Sequence, residues 1–340
     1  MSPRRGRPLA AAAALGLGLA LSLALAEVAL RALGERPWVE LPMKPGEPVM
    51  YEPDPVLGWR AKPGAYTYPV LGLPIRQTIL ADGSRATGRR AAAPEARVVV
   101  LGDSFAQGWG LDDEASLPWR IQQARPQLEV VNLATSGYGT YQSLLRLERL
   151  FEQGLPADLV LYALTELQEE RNVANPRWLH DLQRVSRRGT VAVPYATLGP
   201  AGGLLRHPPT SYPAWPLRTR LALVAWGQRV FEEWGGAGRL EQRHAVTGRL
   251  VLAMDALCRE RGAALLAAVL WAPQTREFYV GELGRAGVAT VDCALELTPE
   301  LSIPGDGHPN AAATERWRDC LLPAIDGALR ARSERVGAAP

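Results

Sequence analysis

From about residue 97 onward, two kinds of hydrophobic pattern alternate along the chain. Short apolar runs, typical of strands buried on both faces, are followed by longer segments in which apolar residues recur at helical spacing. The predicted strands are 97–101, 128–133, 158–164, 263–271 and 288–292. The predicted helices are 116–124, 141–153, 241–261, 275–285 and 310–332. This alternation predicts an α/β fold, a three-layer α/β/α sandwich around a five-stranded and mainly parallel sheet.

The N-terminal segment has no such alternation. From Pro8 to Ala26 it carries no charge over 19 residues, and Arg4, Arg5 and Arg7 precede it. About 20 apolar residues cross a bilayer as a helix, and positive charge keeps the adjacent end in the cytoplasm. We therefore expect a single-pass membrane segment, with the rest of the chain on the exported, periplasmic or extracellular side.

A cleaved signal peptide is the alternative for this segment. Residues 24–26 read Ala-Leu-Ala, which is the small-residue pattern of a signal-peptidase site, and cleavage there makes the protein secreted. The apolar core of a signal peptide is usually about 7–15 residues long. The run in this chain is longer, which favours a retained anchor.

The chain divides into three predicted regions. Residues 1–33 are the anchor or signal peptide, and residues 34–94, rich in proline and glycine, form a stalk and a small accessory β region. Residues 95–335 are the α/β domain. Its regular pattern is interrupted at about 172–238 by an insertion longer than an ordinary connection.

The strand at 97–101 runs directly into a Gly-Asp-Ser turn. Gly102 lets the chain leave the strand at a sharp angle, so Ser104 lies at the carboxyl end of a buried strand, where α/β sheets hold their reactive groups. Ser104 is therefore the candidate nucleophile, although the tripeptide alone is weak evidence because its residues are common in turns. Ser136 is a weaker candidate since it lacks the surroundings of a nucleophile elbow.

Two further segments supply the groups that a serine nucleophile needs. A glycine-rich turn with Gly137 follows the second predicted strand, so one of its backbone N–H groups can point into the cleft beside Ser104. Asp306 and His308 stand two residues apart, a spacing that directs both side chains to one side of an extended loop. The carboxylate then holds one imidazole nitrogen and leaves the other to accept the serine proton. Asn310 is the predicted N-cap of the last helix and fixes the base of this loop.

With these blocks in this order, residues 95–330 resemble the SGNH or GDSL hydrolase superfamily of lipases and esterases. Residues 51–64 and 78–90 resemble the short β segments that precede the catalytic domain in its membrane-anchored exported members. The resemblance implies a flavodoxin-like sandwich and an acyl-enzyme mechanism that needs no metal or organic cofactor. It implies that Ser104 is the nucleophile and also an oxyanion donor through its N–H, and that Gly137 is a second donor. His308 is then the general base, and Asp306 orients it.

The chain departs from the family pattern after the third strand. The family places an asparagine side chain there as a third oxyanion donor, in a Gly-x-Asn-Asp block, whereas this chain has Thr165 and Glu166. Loss of one preorganised donor typically costs on the order of a hundredfold in rate. We therefore expect that Thr165 or Asn172 replaces it, or that the enzyme is slow or acts on an unusual ester. The Asp-x-His spacing is one residue shorter than the family's commoner form and still permits the hydrogen bond.

The expected function is that of an exported serine esterase. Its substrate is an acyl ester, in particular a short acyl group such as acetyl on a carbohydrate of the cell envelope. If a sugar hydroxyl replaces water, the same groups form an O-acyltransferase. A catalytically silent carbohydrate-binding or assembly protein is the alternative from a different class, but a binding protein does not need Ser104, Asp306 and His308 together.

Aromatic residues are the candidate substrate contacts. Trp109 and Tyr138 lie within a few residues of the nucleophile and of the glycine-rich turn, and we expect both to touch the substrate. The aromatic residues of the insertion have two interpretations: Tyr212, Trp215 and Trp226 either line a groove for a sugar chain or a lipid tail, or anchor the insertion onto the sheet.

Charge and metal-ligand spacing narrow the range of partners. The net charge of +3 on 340 residues is small and the arginines are dispersed, so no basic stripe indicates nucleic acid. His180, Asp181 and His207 share no ligand spacing, and no metal site is expected. Residues 169–171 read Glu-Glu-Arg, which is typical of a solvated turn.

The three cysteines allow two arrangements. Cys258 shares a helical face with apolar residues, which indicates a buried free thiol. Cys293 follows the last predicted strand and Cys320 lies in the last helix, so a bridge between them is the favoured pairing in an exported protein. Three free thiols stay the alternative, because pairing cannot be deduced from sequence.

Overall fold

A computed structural model describes residues 7–41, 48–89, 91–186 and 190–337. The strands, in chain order, are β1 (Tyr51–Asp54), β2 (Gly58–Ala61), β3 (Gly64–Val70), β4 (Leu73–Ile79), β5 (Ala96–Leu101), β6 (Leu128–Asn132), β7 (Leu159–Thr165), β8 (Val193–Leu198), β9 (Leu204–Thr210), β10 (Ala264–Trp271) and β11 (Thr290–Asp292). The helices are α1 (Arg7–Ala32), α2 (Ser104–Gln107), α3 (Leu117–Ala124), α4 (Thr140–Glu152), α5 (Leu167–Asn172), α6 (Pro176–Val185), α7 (Ala222–Glu241), α8 (Arg243–Glu260), α9 (Arg276–Arg285) and α10 (Ala311–Gly337). A 3₁₀ turn covers Asp113–Ala115.

Backbone contacts divide the chain into two compact units. The first unit comprises Met1–Pro42, Pro176–Thr190 and Ser211–Ala237, and the second comprises Met43–Asn175, Val191–Thr210 and Gly238–Pro340. Parts of the insertion therefore group with the N-terminal segment, and the β8–β9 hairpin groups with the α/β region. All candidate catalytic residues belong to the second unit.

A five-stranded parallel sheet is the centre of the second unit, with the strand order β11-β10-β7-β5-β6. Successive residues of β5 point to opposite faces: Val98 and Val100 pack in one apolar cluster, Val99 and Leu101 in another. α3 and α10 cover the first face, and α4, α8 and α9 cover the second. The predicted three-layer α/β/α sandwich is confirmed.

The strand order explains where reactive groups gather. β5 lies between β6 and β7, so the chain crosses from one side of β5 to the other on passing from β6 to β7. Loops that leave neighbouring parallel strands on opposite sides of such a point open a crevice at the carboxyl ends of the strands. The Gly-Asp-Ser turn follows β5 and the glycine-rich turn follows β6, so both border this crevice.

The accessory region, residues 48–89, consists of two hairpins and a buried arginine. β1 pairs with β2 and β3 with β4, both antiparallel. The Arg85 N–H donates to the Asn132 carbonyl at 2.9 Å, and its fully buried guanidinium pairs with Asp113 at 3.0 Å. That guanidinium also donates to the carbonyl of Gln107 at 2.9 Å. The region therefore supports the backbone that follows Ser104.

The aromatic residues of the insertion are placed within the first unit. Tyr212 is 4% exposed and stacks on Trp38, with ring centroids 5.6 Å apart. Trp215 packs on Phe231 at 5.5 Å, and Trp226 is 38% exposed. Tyr212 thus anchors the insertion, as the second interpretation expected. Its partner is the N-terminal segment of the same unit, whereas that interpretation named the sheet.

Helix α7 was not predicted from the sequence. It contains Gly227, Gly235, Gly236 and Gly238, and a glycine in a helix interior costs up to about 1 kcal/mol relative to alanine. This composition favours a loop. Its first N–H groups are satisfied by a carboxylate distant in sequence: Glu27 of α1 accepts from Ala222 at 3.0 Å and from Leu223 at 2.7 Å.

Two of the three cysteines form a disulfide. Cys293 and Cys320 are joined, with their Cα atoms 5.9 Å apart. The bridge closes a loop that contains Asp306 and His308. Cys258 is a buried free thiol, and burial raises its pKa to about 12.

Candidate active site

The position of Ser104 depends on a glycine. Gly102 has φ +148°, and a Cβ there would lie 2.9 Å from the Ala163 carbonyl oxygen of the adjacent strand. Asp103 then caps the short helix α2, because its Oδ1 accepts the Phe105 N–H at 3.0 Å. Ser104 is thereby fixed as the first residue of α2, at the carboxyl end of β5.

Ser104, His308 and Asp306 form one hydrogen-bonded line. The His308 Nε2 lies 3.0 Å from the Ser104 Oγ, and the His308 Nδ1 bonds the Asp306 Oδ1. With a carboxylate on Nδ1, that nitrogen carries the proton and Nε2 is left as the acceptor. The imidazole is therefore oriented to take the serine proton.

The loop that carries His308 is held at both ends. The Ile303 N–H donates to the His308 carbonyl at 2.7 Å and closes the loop. The Asn310 Oδ1 accepts from Ala312 at 3.0 Å and from Ala313 at 3.2 Å, which makes Asn310 the N-cap of α10. This anchoring brings together two residues that are 204 positions apart in sequence.

Two aromatic rings lie next to the His308 imidazole. The Phe105 ring lies 5.7 Å from the His308 ring in an edge-to-face arrangement, and the Trp109 ring lies 6.2 Å from it. Trp109 is partly exposed, so it borders the space beside His308. The side chain of Tyr138 is 1% exposed, donates to the Trp59 carbonyl at 2.5 Å, and has a pKa raised by burial. Tyr138 therefore offers no surface to a substrate.

The glycine-rich turn is attached to α2, the short helix that begins at Ser104. Gln107 ends α2, and its Oε1 accepts the Ser136 N–H at 3.0 Å and the Ser136 hydroxyl. The backbone N–H groups of Ser104 and Gly137 have no acceptor among the described residues. Two free N–H groups beside a serine are the arrangement that binds an oxyanion.

Neither side chain expected to replace the family's asparagine is available as a donor. The Thr165 hydroxyl donates to the Asp103 Oδ2 at 2.6 Å. The Asn172 amide donates to the hydroxyls of Thr140 at 2.9 Å and Thr247 at 2.8 Å, and its oxygen accepts the Tyr141 N–H. Both residues hold the surrounding backbone in place.

No family model matches the sequence, and no curated protein matches it. Among solved structures, a member of the lipolytic protein G-D-S-L family from Veillonella parvula is 8% identical with a TM-score of 0.39, covering 68% of this chain and 98% of its own. An esterase from Pseudoalteromonas sp. is 14% identical with a TM-score of 0.38, covering 69% and 100%. A catalytic mutant of an acetylxylan esterase from Geobacillus stearothermophilus is 13% identical with a TM-score of 0.38, covering 68% and 95%.

The structure is similar to those of G-D-S-L lipolytic proteins. With TM-scores below 0.5 and identities of 8–14%, this similarity is one of fold.

Two charged side chains of the segment 169–171, for which the sequence predicts a solvated turn, are largely buried instead. Glu169 is 2% exposed and accepts the Tyr279 hydroxyl at 2.6 Å. The side chain of Arg171 is 10% exposed and pairs with Asp103 at 3.2 Å. Their partners come from other segments of the chain, so no local pattern reveals this burial.

No metal-binding arrangement is found in the part of the chain that the structure describes. There, no three or more His, Cys, Asp or Glu side chains are grouped so that they could hold an ion.

Proposed function

We propose that the chain is an exported serine esterase that forms an acyl-enzyme on Ser104. The observation that carries this proposal is the hydrogen-bonded line from the Ser104 Oγ through both nitrogens of His308 to Asp306. Nucleophile, base and orienting carboxylate are the set required for acyl transfer by a serine hydroxyl. The free N–H groups of Ser104 and Gly137 add a site for the oxyanion.

The reaction follows from these positions. His308 takes the Ser104 proton at Nε2 as Oγ attacks the ester carbonyl, and the two N–H groups stabilise the negative charge on the tetrahedral intermediate. Collapse of the intermediate breaks the ester bond, and His308 returns the proton to the departing alcohol. Water, deprotonated by His308, then attacks the acyl-enzyme carbonyl. The bond to Ser104 Oγ breaks, His308 returns the proton to Oγ, and the acid is released.

The solvent exposure of His308 and Asp306 supports a substrate whose alcohol group is large and polar. The side chains of His308 and Asp306 are 28% and 34% exposed. The alcohol leaves on the side of the base, so a hydrated carbohydrate chain fits there without being desolvated. We therefore propose a short acyl group, such as acetyl, on a carbohydrate of the cell envelope. The same openness admits a sugar hydroxyl in place of water, which would give O-acyl transfer.

The test is active-site labelling and ester turnover by the full chain in detergent. A fluorophosphonate should label the protein once, and peptide mapping should locate the label on Ser104 and not on Ser136. Turnover of p-nitrophenyl acetate should exceed that of the octanoate ester by about tenfold or more, a difference of about 1.4 kcal/mol in transition-state binding.

Two other results would contradict parts of this proposal. A folded protein that neither labels nor hydrolyses any ester of the series supports the binding or assembly alternative instead. If added oligosaccharide becomes acylated at the expense of acid release, the protein is a transferase.

We further propose that α1 is a retained membrane anchor. Ala11–Ala32 is long and apolar enough to span a membrane, with a mean hydropathy of 2.0, and none of it is buried. Residues 24–26 lie inside this helix, which continues without a break to Ala32. Glu27 caps α7, and the Arg31 guanidinium donates to the Arg220 carbonyl at 2.9 Å. These contacts support a helix that belongs to the folded first unit.

The anchor is tested by the mass and location of the expressed protein. We expect the full-length mass in the membrane fraction after an alkaline carbonate wash, because about 20 apolar residues resist extraction as a spanning helix. A double variant, Ala24→Leu with Ala26→Leu, removes the small-residue pattern and should have the wild-type mass apart from the substitutions. A mature N-terminus at Glu27 in the wild type alone would show that the segment is a signal peptide.

A further inference from the structure

Helix α5 lies against the glycine-rich turn, and this close approach requires that residue 139 have no side chain. A Cβ on Gly139 would lie 3.1 Å from the Arg171 Cβ and 2.6 Å from the Asn172 Oδ1. This close approach brings Arg171, near the end of α5, to the turn that contains Gly137. The helix occupies the place after β7 where the family pattern has its asparagine block.

One nitrogen of Arg171 joins the two segments that carry the oxyanion donors. Its Nη1 donates to the Asp103 Oδ2 at 3.2 Å and to the Tyr138 carbonyl at 2.9 Å. Asp103 directly precedes Ser104, and Tyr138 directly follows Gly137. The guanidinium therefore links the two segments whose N–H groups are proposed to bind the oxyanion.

The same contact controls the charge of the site. The Asp103 carboxylate is wholly buried, next to the nucleophile. A buried anion there without a counter-charge would oppose the negative charge that forms on the substrate oxygen, since charges interact strongly at low dielectric. Burial lowers the pKa of Arg171, but an arginine stays protonated in proteins. The pair is thus neutral overall.

We propose that Arg171 is the positioning residue that takes over the task of the family's missing third donor. It holds the Ser104 and Gly137 N–H groups in register and cancels the Asp103 charge, so that two backbone donors stabilise the oxyanion. This inference rests on the proposed esterase function. Because the oxyanion exists only in the transition state and the intermediate, Arg171 acts on kcat rather than on KM.

The main test is Arg171→Gln in the full-length protein, compared with Arg171→Lys. We expect Gln to lower kcat by about a hundredfold with KM changed by less than about threefold, as for the loss of an oxyanion group. Lys keeps the positive charge, and its single ammonium group can donate to more than one acceptor, so it should recover at least about tenfold of the loss. Equal activity of the Lys and Gln variants would overturn the charge role.

A matched control is Arg332→Gln. Arg332 also binds one carboxylate and one carbonyl: it pairs with Asp158 at 2.8 Å and donates to the Gly262 carbonyl at 2.8 Å. These partners lie just before β7 and β10, at the edge of the sheet opposite to Ser104. The control should keep the wild-type kcat. If its kcat falls as far as that of Arg171→Gln, the effect is one of general stability and the inference fails.

A second variant, Gly139→Ala, tests the inference independently in case Arg171→Gln does not fold. Gly139→Ala pushes α5 away from the turn and keeps the Arg171 charge, and we expect it to lower kcat at least about tenfold with little change in KM. A folded Gly139→Ala protein with wild-type kcat overturns the inference. If the wild type itself neither labels nor turns over, the esterase proposal fails; if the wild type is active and Arg171→Gln matches it, only the role of Arg171 fails.

Discussion

Ser104→Ala is expected to lower kcat/KM for ester hydrolysis by about 10⁴–10⁶-fold and to abolish fluorophosphonate labelling. The methyl group cannot form the acyl-enzyme, and the backbone donors alone leave only a residual rate. His308→Ala should cost about as much, and the double variant should lose little more, because the two side chains act as a unit. Initial rates with p-nitrophenyl acetate, normalised to folded protein, measure the effect.

The control for this prediction is Ser333→Ala. Ser333 is an exposed serine on α10, and among the described residues its hydroxyl donates to the Leu329 carbonyl of the same helix. This variant should label and turn over as the wild type does. A Ser104→Ala protein that keeps more than about a tenth of the rate would assign the reaction to another nucleophile. Ser136 is then the next candidate, although its hydroxyl is bonded to Gln107 and not to a histidine.

Asp306→Asn should lower kcat by about 10²–10⁴-fold while KM changes little. The amide is almost the same size as the carboxylate, so the loop keeps its shape. The neutral amide, however, no longer selects the His308 tautomer with the proton on Nδ1. It also no longer stabilises the imidazolium that forms as Ser104 attacks. Single-turnover acylation by p-nitrophenyl acetate separates this loss from any change in deacylation.

The chain offers a matched control for Asp306→Asn at a second His–Asp contact. The His180 Nδ1 lies 2.9 Å from Asp181, so Asp181→Asn removes the same kind of contact without touching the site. That variant should retain wild-type kcat. If Asp306→Asn also retains it, Asp306 does not orient the base.

The fold was largely predictable because its signals are local. Strands such as β5 and β10 are continuous apolar runs, and helices such as α4 carry apolar residues at helical spacing. Each predicted strand of the sheet appears with its ends shifted by at most two residues. The insertion was read less well because α7 contains glycines that disfavour a helix, and its N-terminal cap comes from Glu27 on a different helix.

The candidate site was predictable only where its residues stand next to distinctive neighbours. Ser104 follows a strand and a glycine, and Asp306 and His308 stand two apart, so their types and spacing indicate the chemistry. Thr165 was one of the two side chains expected at the oxyanion because it follows the predicted strand 158–164, but it is the last residue of β7 and its hydroxyl reaches Asp103 instead. Arg171 was read as solvated, yet α5 turns it inward.

The sequence by itself determined the α/β architecture, the apolar N-terminal helix and the identities of the candidate nucleophile, base and orienting acid. Periodicity and short motifs depend on neighbouring residues, so they can be read without coordinates. The tertiary structure decided the contact between Ser104 and His308 across 204 positions, and the pairing of Arg171 with Asp103 and the glycine-rich turn. Those contacts are set by strand order and by the close approach of α5 at Gly139, where the partners are distant in sequence and meet only when the sheet is assembled.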